Sequence, residues 1–242
     1  MPPVANLFDD PLRARLEREA LAPYLRRQRW FGGKARDIAA ARFVDWAPLP
    51  AQPPPAWLAI AEVTYGDGGA ERYHLPLIAM SAAAAAAATR DRPDTVLAAL
   101  SESDAVVCDA IVDDAVCRLL LDAIARGDHF AACRGAIEAR LVAATLAADK
   151  AMPVVRLPGT HSNSAIAIGG RYLLKVFRRV EPGINPDVEI GEFLARHGAD
   201  VRVPALVGTI EYRTEHGATA TLALVQALVA SRGNAWAPRP SG

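Results

Sequence analysis

The 242-residue chain is 52 % hydrophobic, carries 27 Lys plus Arg against 27 Asp plus Glu, and has a formal net charge of +0. This length suffices for one large domain or two small ones. The balanced charge argues against a nucleic-acid partner, because no basic excess is available to neutralise phosphates. Three cysteines without CxxC spacing and five scattered histidines argue against a disulfide framework and a metal site.

Neither a leader nor a membrane span is visible in the sequence. The start of the chain lacks a basic segment followed by an apolar one. The longest apolar run, the alanines of 82–88, is too short for a bilayer, which takes roughly 20 residues. We therefore expect a cytoplasmic protein that does not associate with a membrane.

The first 90 residues combine one helical pattern with three strand patterns. Apolar residues recur at helical spacing over 12–25, although Pro23 should kink or end that helix. Strict alternation marks 57–65 as a strand, and the glycine-rich 66–69 supplies the positive φ angles of a hairpin turn. The predicted strands are 38–46, 57–65 and 72–78, which gives a helix packed on a small antiparallel sheet.

The middle of the chain opens with a composition shift at the alanine run. A strand is predicted over 106–112. Asp113 can then cap a helix whose apolar residues recur at i, i+3, i+4, i+7 and i+8, and Gly127 can end it in a left-handed conformation. The run 137–146 fits a strand and a helix equally well.

From residue 151 the pattern becomes rich in strands. Gly169 and Gly170 can form a tight turn between two of them. A helix follows, with Asn185 as N-cap and Pro186 in the first turn, where no amide donor is needed. The predicted strands are 154–157, 165–168, 172–177, 207–212 and 219–228.

One constellation in this last part suggests phosphate chemistry. A small polar loop over 159–164 precedes a strand that carries Lys175, and the next helix carries Glu189. In kinases a loop covers the phosphates, a strand lysine reaches them and a helix glutamate orients that lysine. Backbone amides and a fixed ammonium are what a triphosphate requires. The alternative is an exposed lysine beside a solvated carboxylate, and Glu192 competes for the pairing role.

Three stretches of the sequence resemble the maltokinase family. The run 172–191 is similar to the family pattern, as is Ser162-Asn163-Ser164, and the early 28–34 (Gln-Arg-Trp-Phe-Gly-Gly-Lys) resembles the marker of the family's cap domain. The resemblance implies an aminoglycoside-phosphotransferase-like kinase that uses ATP and Mg²⁺ to convert maltose to maltose 1-phosphate for glycogen and α-glucan synthesis. In some relatives this kinase is fused to a trehalose synthase.

The resemblance also implies roles for individual residues. Ser162, Asn163 and Ser164 would lie in the phosphate loop. Lys175 would bind phosphate, and Glu189 would orient the lysine. The main chain of 225–229 would form the hinge beside the adenine. The implied nucleotide-binding residues are Ser162, Asn163, Ser164, Lys175, Glu189, Gln226 and Leu228.

The expected fold class is α+β with a helical catalytic lobe absent. We predict a cap domain over 1–90, an intermediate α/β segment over 91–150 and a kinase-like nucleotide lobe over 151–242 that is truncated after the hinge. The catalytic aspartate and the magnesium ligands would lie in the missing lobe, so this chain alone should not transfer phosphate. The alternatives are a non-catalytic cap or nucleotide-binding module, a gene fragment, and a kinase for a sugar such as glucosamine.

Two further features call for structural interpretations. Gly32-Gly33-Lys34 resembles the end of a P-loop but lacks the first glycine and the Ser/Thr, so we predict a structural turn. The aromatics before it, Trp30 and Phe31, should belong to the cap core. With the second lobe absent, the face of the hinge strand near Leu222, Leu224 and Leu228 should expose apolar surface.

Overall fold

The computed structural model describes residues 6–50, 54–100, 103–143, 145–146, 149, 151–158, 162–197 and 204–229. These residues form an α+β fold with two antiparallel sheets. The helices are α1 Asp10–Leu16, a π-helical turn Glu17–Leu21, α2 Ala22–Arg27, α3 Ala82–Ala88, α4 Asp114–Arg126 and α5 Pro186–His197, with 3-10 turns at Pro93–Thr95 and Ala110–Val112. The strands are β1 Ile38–Pro48, β2 Ala56–Tyr65, β3 Ala70–Ser81, β4 Val96–Leu100, β5 Ala105–Asp109, β6 His129–Ala131, β7 Ala136–Leu141, β8 Val154–Leu157, β9 Asn163–Ile168, β10 Tyr172–Phe177, β11 Leu206–Arg213 and β12 Thr219–Ala227.

The first sheet has the strand order β1-β2-β3-β5-β4 and is covered on both faces. On β2, Trp57 and Val63 pack in one core with α1 and α2. The alternate residues Leu58 and Ile60 pack in a second core with α4 and the second sheet. Burial on both faces explains why nearly every residue of this strand is inaccessible to solvent.

The leading helix changes its hydrogen-bonding pattern just before its proline. The π-helical turn ends at Leu21, two residues before Pro23. Proline lacks the N–H that would bond four residues back, and its ring crowds that carbonyl, so a wider turn accommodates it. The helix does not end at Pro23 and continues as α2.

The alanine run forms the short helix α3. Ser81 accepts a hydrogen bond from the Ala84 N–H at 3.3 Å and so caps α3. The chain then returns to the first sheet as β4 and β5. Strands on both sides of residue 90 therefore belong to the first sheet. The later strands of the predicted intermediate segment, β6 and β7, belong to the second sheet.

The second sheet has the order β6-β7-β11-β12-β10-β9-β8. Its strands β8, β9 and β10 pair consecutively, with Gly169 and Gly170 at positive φ in the turn between the last two. Helix α4 packs on one face. Helix α5 packs on the other through Val188, which contacts Phe177, Leu206 and Leu224.

The predicted caps are confirmed. Asp113 accepts from the Val116 N–H at 2.9 Å, and Gly127 ends α4 with φ of 68°. Asn185 accepts from the Asp187 N–H at 2.9 Å at the start of α5. Each cap satisfies groups that the helix itself leaves unpaired, which is why the sequence locates these ends well.

Hydrogen bonds join the two sheets at more than one point. The segment after β10 runs antiparallel to the start of β3: His74 N–H donates to the Arg178 carbonyl at 2.7 Å, and Val180 N–H donates to the Arg72 carbonyl at 2.9 Å. At another point, the buried Asp45 on β1 accepts hydrogen bonds from the turn between β6 and β7. The sheets are therefore hydrogen-bonded to one another as well as packed.

The expected apolar surface on the hinge strand is not observed. Leu222 and Leu224 are both fully buried, the first against the α4 core and the second against α5. Leu228 is half-buried. The prediction failed because it assumed that a second lobe must cover this strand, whereas the helices on either side already do so. Among the described residues, no helix has the length and apolar character needed to cross a bilayer.

Candidate functional site

Lys175 lies on the face of the second sheet that α5 covers. Its neighbours Leu174 and Val176 point into the opposite core and are fully buried. The lysine side chain is 23 % exposed, and its Nζ forms an ion pair with Oδ2 of Asp187 at 2.9 Å. The single carboxylate therefore restricts the direction of this partly buried ammonium.

The partner of this lysine differs from the prediction. Glu189, predicted to hold Lys175, is exposed, and Asp187 makes the ion pair instead. Residues advance by about 100° each around a helix, so two positions place these carboxylates on nearly opposite sides of α5. The competing Glu192 pairs with Arg140 at 2.6 Å.

The described part of the predicted phosphate loop is built into the sheet. Asn163 begins β9 opposite Phe177, and the Ser162 carbonyl accepts from the Arg178 N–H at 3.1 Å. The Ser164 hydroxyl accepts from Nε and Nη2 of Arg178 at 3.1 and 2.9 Å. Ser164 is therefore engaged by an arginine, while the first three loop positions, 159–161, lie outside the described residues.

A cavity of about 460 Å³ lies between the loop residues and the start of α5. Ser162 and Asn163 line it from the loop side, and Asn185 and Asp187 line it from the first turn of α5. The N–H groups in that turn are already bonded to Asn185. Arg179 adds a cation to the wall and pairs there with Glu181, so the wall carries charges of both signs.

The predicted hinge follows directly along the same face. Lys175 pairs with Leu224 in the β10–β12 ladder, and Gln226 comes two residues later opposite Leu173. Residues two apart on a strand share a face, so Gln226 lies on the lysine side. The N–H of Ala227 donates to the Ala205 carbonyl at 2.8 Å, and that of Leu228 donates to the Arg171 carbonyl at 2.7 Å.

A buried ion pair between the sheets was missed by the sequence analysis. Arg178 Nη2 lies 2.6 Å from Oδ2 of Asp109, and both side chains are 1 % exposed. The guanidinium also lies over the Trp30 ring, 5.1 Å from its centroid. The pKa of the neighbouring Tyr24 is raised well above its usual value, mainly because the hydroxyl is buried and secondly because of the negative charge of Asp109. These groups are far apart in the sequence, and no spacing pattern connects them.

His74 also occupies this junction. Its Nδ1 lies 3.2 Å from the Phe177 carbonyl, and the side chain is fully enclosed. Burial, with the charge of Arg178 as a second cause, lowers the pKa of His74 to about 3. The imidazole is therefore neutral at physiological pH and donates from Nδ1.

The early glycine-rich motif is a structural turn, as predicted. Phe31 packs on Tyr73 with ring centroids 5.0 Å apart, and Trp30 lies between Tyr73 and the buried arginine. A Cβ added at Gly33 would lie 2.1 Å from the Tyr65 hydroxyl oxygen. The second glycine is thus required by packing against the first sheet, and Gln28 secures the turn by donating to the Asp94 carbonyl at 2.6 Å.

The sequence analysis assigned the magnesium ligands to a lobe that this chain does not contain. Within the described ranges, no group of three or more His, Cys, Asp or Glu side chains could hold a metal ion. Asp187, the carboxylate nearest the lysine, is already paired.

Comparison with known proteins finds a matching family model and similar solved structures. Solved structures of glucosamine kinase are similar: one in complex with glucosamine, ADP and inorganic phosphate has 16 % identity and a TM-score of 0.49 over 89 % of this chain and 40 % of that one. Crystal form B of glucosamine kinase has 15 % identity and a TM-score of 0.45 over 82 % of this chain and 37 % of that one. Crystal form A has 17 % identity and a TM-score of 0.37 over 79 % of this chain and 35 % of that one. The chain thus spans about 40 % of the length of the first of these structures. The family pattern of the maltokinase N-terminal cap domain matches residues 24–113 of this chain.

Proposed function

We propose that this chain is the N-terminal portion of an ATP-dependent sugar kinase of the maltokinase type, in which a cap domain precedes a nucleotide-binding lobe. The observation that carries the proposal is the Lys175–Asp187 ion pair beside a cavity lined by Ser162 and Asn163. The cap assignment of residues 24–113 supports it independently.

In this proposal the triphosphate occupies the cavity between the loop and the first turn of α5. Phosphoryl transfer is catalysed mainly by positioning and by neutralising charge on the phosphates. Lys175 would supply the fixed ammonium. Asp187, at the start of the helix, would take the orienting role first predicted for Glu189, because its side chain already reaches the lysine Nζ.

The adenine would lie beside the end of β12, next to Gln226 and Leu228. The N–H groups of Ala227 and Leu228 already donate to carbonyls within the protein. Recognition of the base by main-chain donors at these two positions would therefore require those bonds to open, and carbonyl oxygens are the simpler partners for the adenine amino group.

The reaction of the whole enzyme is proposed by family resemblance. The acceptor would be maltose, the product maltose 1-phosphate and the pathway cytoplasmic glycogen and α-glucan synthesis, with trehalose synthase as a fused or associated partner. Magnesium bound with ATP would neutralise phosphate charge during transfer. We expect this polypeptide alone to bind nucleotide without turning it over, because the described residues form no acidic metal site.

A fluorescence titration with an ATP analogue that carries a reporter group on the ribose tests the proposal. Wild-type chain and Lys175→Met are compared with Lys34→Met, which removes an exposed lysine in the cap turn. We expect Lys175→Met to weaken binding about tenfold or more, as loss of a charge-assisted contact does, and Lys34→Met to bind like wild type. Equal affinities in all three would refute the nucleotide assignment and favour a non-nucleotide interaction module.

A further inference from the structure

A second cavity, of about 300 Å³, lies between the cap and the second sheet on the other side of the loop residues. Trp30, Arg92 and Asp94 line it from the cap, and Ser164 and Arg178 line it from the second sheet. It is separate from the first cavity: neither Lys175 nor the first turn of α5 contributes to it, although Asn163 borders both.

The chemistry of this cavity is set by its arginines. Arg178 is fully buried, and its Nη1 has no hydrogen-bond partner, although Nε and Nη2 are satisfied by Ser164 and Asp109. Buried donors are nearly always paired, because leaving one unmade costs the full desolvation of the group. The orphaned donor therefore indicates that something further belongs beside this guanidinium.

Arg92 supplies a second cation. Among the residues that the structure describes, its guanidinium forms no ion pair or hydrogen bond, although the residue is only partly exposed. The acidic groups in the wall are Asp109, which is already committed to Arg178, and the exposed Asp94. Forked guanidinium groups match the geometry of phosphate oxygens.

We propose that this cavity binds a small phosphate-class oxyanion, held by Arg92 and Arg178 between the cap and the second sheet. The ligand would be inorganic phosphate or the phosphoryl group of a sugar phosphate, two sources that share one recognition chemistry. The volume accommodates the phosphoryl group with an attached monosaccharide. The site goes beyond the proposed nucleotide function and does not use the nucleotide lysine.

Isothermal titration of the full chain with inorganic phosphate, and separately with glucose 6-phosphate, tests this site. Arg92→Ala should weaken binding about tenfold, as expected for a lost charge-assisted contact. Its matched control is Arg90→Ala, an exposed arginine that does not line the cavity and should bind like wild type. Asp94→Asn removes a carboxylate from the wall and should tighten binding. Tighter binding of the sugar phosphate than of phosphate identifies the sugar phosphate as the natural source, and equal binding identifies free phosphate.

Three results would overturn the proposal. One is an absence of phosphate binding by the wild-type chain at millimolar concentration. Another is equal weakening by Arg92→Ala and Arg90→Ala. The third is loss of phosphate binding in Lys175→Met, which would show that the anion enters the nucleotide cavity. The last variant also separates the two proposals, because failure of ATP-analogue binding leaves phosphate binding at this cavity unaffected.

Discussion

The substitution Asp109→Asn tests whether the ion pair between the sheets contributes to stability as its burial implies. Asp109 is 1 % exposed and meets the Arg178 guanidinium at 2.6 Å, and its other oxygen accepts from the Ile111 N–H at 3.2 Å. Asparagine keeps the size and one acceptor. It turns the second oxygen into a donor that faces another donor, and it leaves a buried cation without its counter-charge.

The size of the effect follows from the burial of both partners. Removing one member of a buried ion pair typically costs about 3–5 kcal/mol, whereas a whole domain is stable by about 5–15 kcal/mol. We expect a loss in this range for Asp109→Asn. The matched control is Glu62→Gln, which breaks the Arg72–Glu62 pair of the same sheet; its N–O distance is 2.9 Å, but its side chains are 44 % and 29 % exposed. Such a pair contributes about 0–1 kcal/mol.

Urea-induced unfolding followed by circular dichroism measures both variants. A second comparison adds Arg178→Met to Asp109→Asn: the double variant should be less destabilised than the sum of the two single variants, because no unpaired buried charge remains. Similar losses for Asp109→Asn and Glu62→Gln, or simple additivity in the double variant, would refute the reasoning from burial.

Three further predictions concern the lysine partner, the cap turn and the buried imidazole. Asp187→Asn should weaken ATP-analogue binding several-fold while Glu189→Gln leaves it unchanged, and the reverse order in the same titration would restore the original assignment. Gly33→Ala should destabilise the fold by about 1–3 kcal/mol through overpacking, whereas Gly32→Ala, whose nearest contact would be 3.7 Å, should cost far less in thermal unfolding. The His74 pKa of about 3 lies below its ordinary 6.5, so the unfolded chain takes up a proton that the folded chain does not. Stability should therefore fall as pH drops below 6.5, by up to about 1.4 kcal/mol per pH unit, and His74→Asn should reduce that slope in unfolding titrations; an unchanged slope would contradict the burial argument.

Much of the local structure could be predicted from the sequence because local rules determine it. The strands 154–157 and 172–177 were predicted with the bounds that the structure gives. Asp113 and Asn185 located helix starts because a cap is a contact between residues two or three positions apart. The first half of the ambiguous run 137–146 belongs to the strand β7, which ends at Leu141, since pairing with β11 decided what its own pattern did not.

The site was predicted only in part, for reasons that are also physical. Lys175 does pair with a carboxylate of the next helix, but the choice between Asp187 and Glu189 depends on the rotation of α5 against the sheet. That rotation is set by the packing of Val188 on Phe177, which no spacing rule encodes. Arg178 and Asp109 meet only because two sheets assemble, and the sheet membership of 91–141 depends on the same assembly.

Asp45 illustrates what this assembly means for exchanging parts between related proteins. Its carboxylate accepts from the N–H groups of Arg134 and Gly135, at 2.9 and 2.8 Å, and from the Tyr212 hydroxyl at 2.8 Å. A Cβ on Gly135 would lie 2.2 Å from the Arg213 carbonyl oxygen, so the turn has no room for another residue type. A chimaera that joins a cap from another protein to this chain must therefore keep Asp45, the turn at 134–135 and Tyr212 together. Otherwise the new interface will contain a buried carboxylate without hydrogen-bond donors.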